Sequence, residues 1–484
     1  VKQVLKFKYI FLIIIAIVLR FVFFDIRPFH NDEGVNFHFI KRTVDLGYYP
    51  YSHQNYHGPL YFYILTFFTQ IFGYSIFGMK ISSILLGIVL SMVPLFFKKV
   101  LDKSTLFLMM LFLAFSPELI FHSNYIIHEM LLVLSMSLVY FLNFQYIKTG
   151  LKKYLFLMMF FLAFAFSTKE TVIISMFALT VANLLVFDFK KLLSIFIPTI
   201  SCFLLITIPV SLIIYTAGGF WYDGAIEFAK SFKQWIDRGV EDSGHFKSFY
   251  YYLEIVFGGK VISELGVKTF SKTTIGINYS FIVMFLVSLY SLVKIKFKRS
   301  EDNKLFIYFF ILFILHFLIY SYIPYKTPWL IINISTPLIF CFALSLRYFS
   351  KKEVVLISSL VVLLNINDIY KANYKYTDSK LNPLYYTHTS LSFLTFLQDL
   401  EDYVNNLDKK PKIAMAVNNP WPIPYYLRDY AVGYIGKNAK IDIENYDIVA
   451  VDSNKVYKVD NYNKVYYRFS DVTESHVYFK KQKK

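Results

Sequence analysis

Apolar runs of roughly 18 or more residues recur along this chain, each closed by a short basic turn, and that is the length that spans a bilayer. The pattern predicts a polytopic α-helical membrane protein. Composition agrees, since the 484 residues are 56% hydrophobic and 20% aromatic. A net charge of +17 could point to nucleic acid, but the basic residues sit in the short segments between apolar runs, where membrane topology accounts for them. Nucleic acid is therefore not an expected partner. Cys202 and Cys341 both lie inside apolar runs, which leaves no disulfide framework and no cysteine-rich zinc site. The basic start and long apolar stretch, without a small-residue cleavage site, read as an uncleaved anchor rather than a signal peptide.

The first span, residues 9–25, follows Lys2, Lys6 and Lys8, so the N-terminus is expected in the cytoplasm and the segment after the span outside. The next apolar piece, residues 59–73, would be ~22 Å long as a helix against a ~30 Å hydrocarbon core, and is read as lying in the interface. Further spans then fall near 76–97, 104–121, 126–147, 154–168, 171–188, 192–215, 277–294, 304–323, 328–346 and 353–367, about eleven in all. This alternation carries Lys98, Lys99, Lys148, Lys152, Lys153, Lys190 and Lys191 to the cytoplasmic side, and later Lys294, Lys296, Lys298, Arg347 and Lys351. The segment from Thr216 to about Ile275 falls outside and is long enough to escape the charge rule. From Tyr370 polar residues rise, and β-rich pieces at 412–417 and 446–451 alternate with a helix-like stretch near 390–406. The expectation is a membrane domain at 1–369 and a small soluble α/β domain at 370–484, on the same outer side as Asp32.

Asp32 and Glu33, in RPFHNDEGV at 27–35, come directly after the first span. A carboxylate at the bilayer centre costs roughly 2.5 to 3.5 kcal/mol, so acids at a membrane mouth are functional candidates. They also fit a helix start, with Asn31 or Asp32 as the cap and Glu33 favourable in the first turn. Two outer turns break the charge rule: STKET carries Lys169 beside Glu170, and YSYIPYKTPW carries Lys326. Each ammonium needs an anion or water there; a lipid phosphate would serve, with snorkelling of a long side chain as the plainer alternative. Lys80 is a third candidate for the phosphate. The loop SPELIFHSNYIIHEM adds His122, His128 and Glu129. Asp32 and Glu129, with His57 or His128, could hold a divalent cation such as Mg, Mn or Zn, although no compact ligand spacing is present. Tyr56, Tyr325 and Trp329 belong to the aromatic belt and can also stack on a sugar ring.

With these pieces placed, the chain resembles the GT-C superfamily of lipid-phosphate-dependent glycosyltransferases. Within it the chain is similar to the flippase-activity-associated family related to dolichyl-phosphate-mannose protein mannosyltransferases. The segments that carry the likeness are RPFHNDEGV (27–35), YHGPLYFY (56–63), STKET (167–171), YKTPWLIIN (325–333), NPLYYTHTS (382–390) and WPIPYYLRDY (421–430). The resemblance implies a GT-C-like bundle, with Asp32 as the essential acid and Glu33 beside it. Glu129 falls where relatives often carry an aspartate, which leaves its metal geometry open. His57 stands at a site position just before Gly58 and Pro59, and Lys169 and Lys326 match basic positions facing a lipid phosphate.

The function this implies is transfer of a sugar from a polyprenyl-phosphate donor to an acceptor hydroxyl of a protein, lipid or glycan on the outer face. Asp32 would act as general base, and inversion is implied by the superfamily. No P-loop or dinucleotide fingerprint is present, so no nucleotide cofactor is expected. The alternatives are a lipid flippase or transporter, and a non-catalytic subunit of a glycosylation complex.

Overall fold

The computed structural model describes residues 2–55, 57–240, 245–436, 441–470 and 472–482. The chain divides into two compact units: Val1–Phe24 with Arg42–Leu384, and Asp25–Lys41 with Tyr385–Lys484. The second unit thus starts at Tyr385 rather than at 370, because the helix Lys351–Tyr370 continues as a π turn to Lys375. It also takes in the segment that holds Asp32 and Glu33.

In the first unit each of the eleven expected apolar segments is helical. Among the described residues six helices are long and apolar enough to cross a membrane, or seven if one bent pair is counted as a span, so the chain is an integral membrane protein. Pro328–Tyr348 is entirely buried along its apolar window and forms the centre, whereas Phe189–Tyr215 is only 11% buried and turns its side chains outward to lipid. Polar caps start several of these helices. The Asp102 carboxylate accepts from the backbone N–H of Ser104 and Thr105, and Ser350 and Glu353 form a reciprocal capping box. The 59–73 piece is a helix, Leu60–Phe72, of 13 residues, about 20 Å by its rise per residue.

One expectation fails. The run at 104–121 is not one straight span but two helices, Lys103–Ala114 and Pro117–Ser123, bent by 56°. Pro117 opens the second helix and Ser116 caps it, so the ladder of the first cannot continue. The break frees carbonyls inside an apolar bundle, and Arg20 from the first helix meets this need. Its guanidinium is fully buried and donates to the carbonyls of Leu113 and Ala16 and to the Ser123 hydroxyl, at 3.2–3.3 Å. Gly87 makes room: a Cβ there would lie 2.1 Å from Ser123 Oγ and 2.8 Å from Arg20 Nε.

The second unit is built on a five-stranded sheet ordered β2 (Val432–Tyr434), β1 (Ile413–Ala416), β3 (Ile448–Asp452), β5 (Glu474–Lys480), β4 (Tyr462–Arg468). β2, β1 and β3 pair in parallel, and β5 pairs antiparallel with both β3 and β4. β1 and β3 are buried along their whole length, as central strands covered on both faces must be. The helix Ser392–Asn405 lays Phe393, Phe396 and Leu400 on Ile413, Met415, Ile448 and Val477. Ala414, Ala416, Val449 and Val451 face the other way, against Ile443, Tyr462 and Tyr478.

The tight site around Arg20 gives a direct expectation. Gly87→Ala lowers stability by about 1–3 kcal/mol through overpacking against Ser123 and Arg20; thermal unfolding in detergent measures it, and an unchanged midpoint would show that this junction has slack.

Candidate functional site

The turn Ser167–Thr171 is the focus of the first unit. The chain just before the helix Leu60–Phe72 is hydrogen-bonded to it: Gly58 N–H donates to the Thr168 carbonyl and Leu60 N–H to the Ser167 carbonyl, both at 3.0 Å. Only glycine allows this approach, because a Cβ on residue 58 would lie 2.3 Å from the Ser167 oxygen. His57 is thereby laid beside the turn. Its ring centroid is 4.4 Å from that of His128, which also contacts Tyr61 and Phe62 at 4.8 and 4.9 Å.

Lys169, in this turn, forms an ion pair with Glu129, the first residue of the helix Glu129–Thr149, and both side chains are almost fully buried. Two charges at this depth are tolerable only together, since the attraction repays their loss of water. Next to them Glu170 accepts from the Tyr51 hydroxyl at 2.8 Å, and His128 Nε2 is buried with no hydrogen-bond partner among the described residues. A cavity of about 870 Å³ opens beside the turn. Lys169, Glu170 and Thr171 form one wall, Phe232 and Ile236 a second, and Tyr320 to Tyr325 with Leu330 a third, so it is mostly apolar with a charged end.

Lys326 lies in the loop that supplies this third wall. A short antiparallel pairing joins Phe246 to Tyr325, and across it two lysines serve each other's backbone. Lys326 Nζ donates to the Lys247 carbonyl at 3.1 Å and Lys247 Nζ to the Lys326 carbonyl at 2.7 Å. Burial pushes the Lys326 ammonium down to about 8. Burial and the neighbouring Lys326 charge push Lys247 down to about 8, with Glu254 pulling the other way. Lys247 went unnoticed in the sequence because it lies in the long outer segment where lysine breaks no rule. Tyr325 packs on His245 at 4.9 Å, and Trp329 is buried in the same loop. Lys80 is buried too, and donates to the Phe24 carbonyl at 3.0 Å just past the first helix.

Asp32 and Glu33 belong to the second unit. The helix Asn31–Leu46 starts there, and its cap is neither Asn31 nor Asp32 but His30. The His30 N–H donates to Glu33 Oε2 at 2.7 Å while His30 Nδ1 accepts from the Asp32 N–H at 3.1 Å, a reciprocal cap in which an imidazole replaces the usual hydroxyl. The other ring nitrogen, Nε2, faces the Tyr386 carbonyl at 2.5 Å. Glu33 is buried by this role, whereas Asp32 is half-buried. Tyr56 lies outside the described residues. The cation set Asp32, Glu129 and His57 is divided between the units, and within either unit no three His, Cys, Asp or Glu of the described residues gather to hold an ion.

The structure thus brings Glu129, Lys169, His57 and His128 together at one turn and pairs Lys326 with Lys247. Breaking the buried ion pair by Glu129→Gln is expected to cost about 3–5 kcal/mol, and Lys169→Met added to it to recover part of that loss. Unfolding midpoints of both single variants and the double variant measure the coupling; strictly additive losses would contradict it.

No curated protein matches the chain by sequence. Residues 56–215 match the family described as dolichyl-phosphate-mannose-protein mannosyltransferase, a stretch that includes His57, His128, Glu129 and Lys169. Two solved structures of ArnT from Cupriavidus metallidurans, one in the apo state and one bound to undecaprenyl phosphate, match at a TM-score of 0.64 with 12% identity. Each match covers 97% of this chain and 97% of the other. The chain therefore has the GT-C fold seen in ArnT, and carries across residues 56–215 the sequence pattern of the dolichyl-phosphate-mannose-protein mannosyltransferase family.

Proposed function

We infer that this protein is a membrane glycosyltransferase that moves a sugar from a polyprenyl-phosphate donor to an acceptor hydroxyl of a protein, lipid or glycan on the extracytoplasmic face. The observation that carries the reading is the mostly apolar cavity of about 870 Å³ with Lys169 in its wall and Lys326 in the adjoining loop. Apolar walls suit a prenyl chain and ammonium groups suit the phosphate at its head. The ArnT structure solved with undecaprenyl phosphate supports a lipid phosphate as the ligand class for this fold.

The chemistry follows from where charge develops. As the bond between the anomeric carbon and the phosphate oxygen breaks, negative charge grows on the departing phosphate, and Lys169, Lys326 and Lys247 are the cations for it. The acceptor hydroxyl must lose a proton as it attacks, and Asp32 takes it, a contribution of roughly 10² to 10⁴ in rate. Attack from the face opposite the phosphate inverts the anomeric centre. Glu33 keeps the helix start that carries Asp32. His57, His128, Tyr325 and Trp329 are the groups for the sugar, through hydrogen bonds and ring stacking. No step is assigned to a divalent cation. The lysine distribution favours a cytoplasmic N-terminus and an outer active site.

The direct experiment is incubation of purified protein in liposomes with a radiolabelled undecaprenyl-phosphate hexose and crude envelope acceptor. Release of undecaprenyl phosphate with label appearing on the acceptor is expected; label that only changes leaflet, with the donor intact, would overturn the reading in favour of a lipid flippase.

The lysines also set a pH dependence. Both have their ammonium pushed to about 8, so their charge is present below that value and lost as pH rises through it. Affinity for undecaprenyl phosphate is expected to fall by about tenfold or more from about pH 7 to about pH 9, a window in which an ordinary lysine stays charged. Lys326→Arg, which cannot be deprotonated, is expected to hold affinity further into the alkaline range. Binding that stays flat across the window in the unaltered protein would exclude these two lysines as the phosphate's partners.

A further inference from the structure

The acid loop is held by an amide relay that begins in the C-terminal sheet. Asn419 follows the carboxyl end of the central parallel strand β1, the edge at which open α/β sheets place functional groups. Its side-chain carbonyl accepts from the Trp421 N–H at 3.2 Å, which fixes the amide so that Nδ2 points away. Nδ2 donates to Asn31 Oδ1 at 2.7 Å. With Oδ1 so engaged, Asn31 turns its own Nδ2 to Asp32 Oδ1, at 3.2 Å. Each amide presents a donor to the next group only because its acceptor end is already taken.

The frame around the relay is tight. Gly34, one turn into the same helix, leaves no space for a side chain, since a Cβ there would lie 2.6 Å from Pro422 Cα. The Phe29 N–H donates to the Tyr426 hydroxyl at 2.8 Å, and the Phe29 carbonyl accepts from Thr389 at 2.6 Å. The segment before the helix is therefore fixed from several sides by the C-terminal residues. Asp32 Oδ2 takes no part in these hydrogen bonds, which leaves it the oxygen that can accept a proton.

We propose that Asn419 and Asn31 are positioning residues for Asp32: the C-terminal domain sets the orientation of the acid through a one-way amide relay, Trp421 N–H to Asn419 to Asn31 to Asp32. This assigns the domain a part in the transfer step itself and rests on the reading of Asp32 as general base. One oxygen of Asp32 is held by the relay while the other faces the acceptor hydroxyl. Misplacement of a reacting group by about 1 Å can cost about 10²-fold in rate.

The relay makes an unusual demand on its variants. Asn419→Asp is nearly isosteric and still accepts from Trp421, but has no donor for Asn31. The Asn31 amide then reverses, to donate to the new carboxylate, and sets its carbonyl against Asp32. Asn419→Ala only releases Asn31. Turnover of a radiolabelled undecaprenyl-phosphate hexose is therefore expected to fall in kcat by about tenfold in Asn419→Ala and by about 100-fold in Asn419→Asp, with the donor KM unchanged. A merely structural role would give the opposite order, with the isosteric aspartate tolerated better than alanine. Asn31→Asp against Asn31→Ala repeats the comparison at the half-buried first position of the helix, in case Asn419 variants fail to fold. Loss of turnover in Asp32→Asn, together with unaltered kcat in both Asn419 variants or with aspartate more active than alanine, would overturn the relay alone. Full turnover in Asp32→Asn would remove the base it is proposed to serve, and the relay with it.

Discussion

A charge inside hydrocarbon has to find its opposite or find water, and the first unit of this protein is arranged around that constraint. Glu129 starts one helix and Lys169 sits in the turn between two others, so their ion pair pins three helices at one point. The same turn is where Gly58 is admitted close enough to hydrogen-bond. The same demand explains Arg20, whose guanidinium fills the gap left by a broken helix, and the lysines 247 and 326, which donate to each other's backbone oxygens. Arg20 is spent on the protein itself, whereas Lys169 is held by Glu129 at the wall of the cavity. Lys326 and Lys247 each donate to the other's backbone carbonyl, and an incoming phosphate would be a stronger, charge-assisted acceptor for both.

Much of this was legible in the residues because hydrophobic length and lysine placement are read without knowing the tertiary structure. Every expected apolar run is helical, and STKET and YKTPW were singled out by a rule about charge alone. The helix break at Phe115–Ser116 was not legible, because its apolar flanks look like one continuous run and only Pro117 hinted otherwise. β1, β3 and the helix between residues 392 and 405 were visible as apolar blocks, whereas β4 carries exposed lysine, tyrosine and asparagine on a sheet edge and shows no such block. The cap at His30 was missed because an imidazole there is not among the usual capping side chains.

Assignment of Asp25–Lys41 to the C-terminal unit changes what the acid pair means. From the sequence, Asp32 and Glu33 looked like neighbours sharing a task. Their structure separates them: Glu33 is consumed by the cap of its own helix, and Asp32 retains an oxygen outside the hydrogen bonds that hold it. A soluble domain appended after the last helix would ordinarily be read as a docking module. Here its strand edge and the loop of residues 418–426 build the walls of the acid loop, so the domain and that loop form one unit.

The central claim is that the cavity beside the Ser167–Thr171 turn receives the phosphate end of a polyprenyl-phosphate sugar. A donor analogue with a diazirine on the first isoprene tests it most directly, by mass spectrometry of the peptides labelled on photolysis. Label in the segments around Lys169 and Lys326, competed by undecaprenyl phosphate, is the predicted result; label absent from both segments would contradict the account.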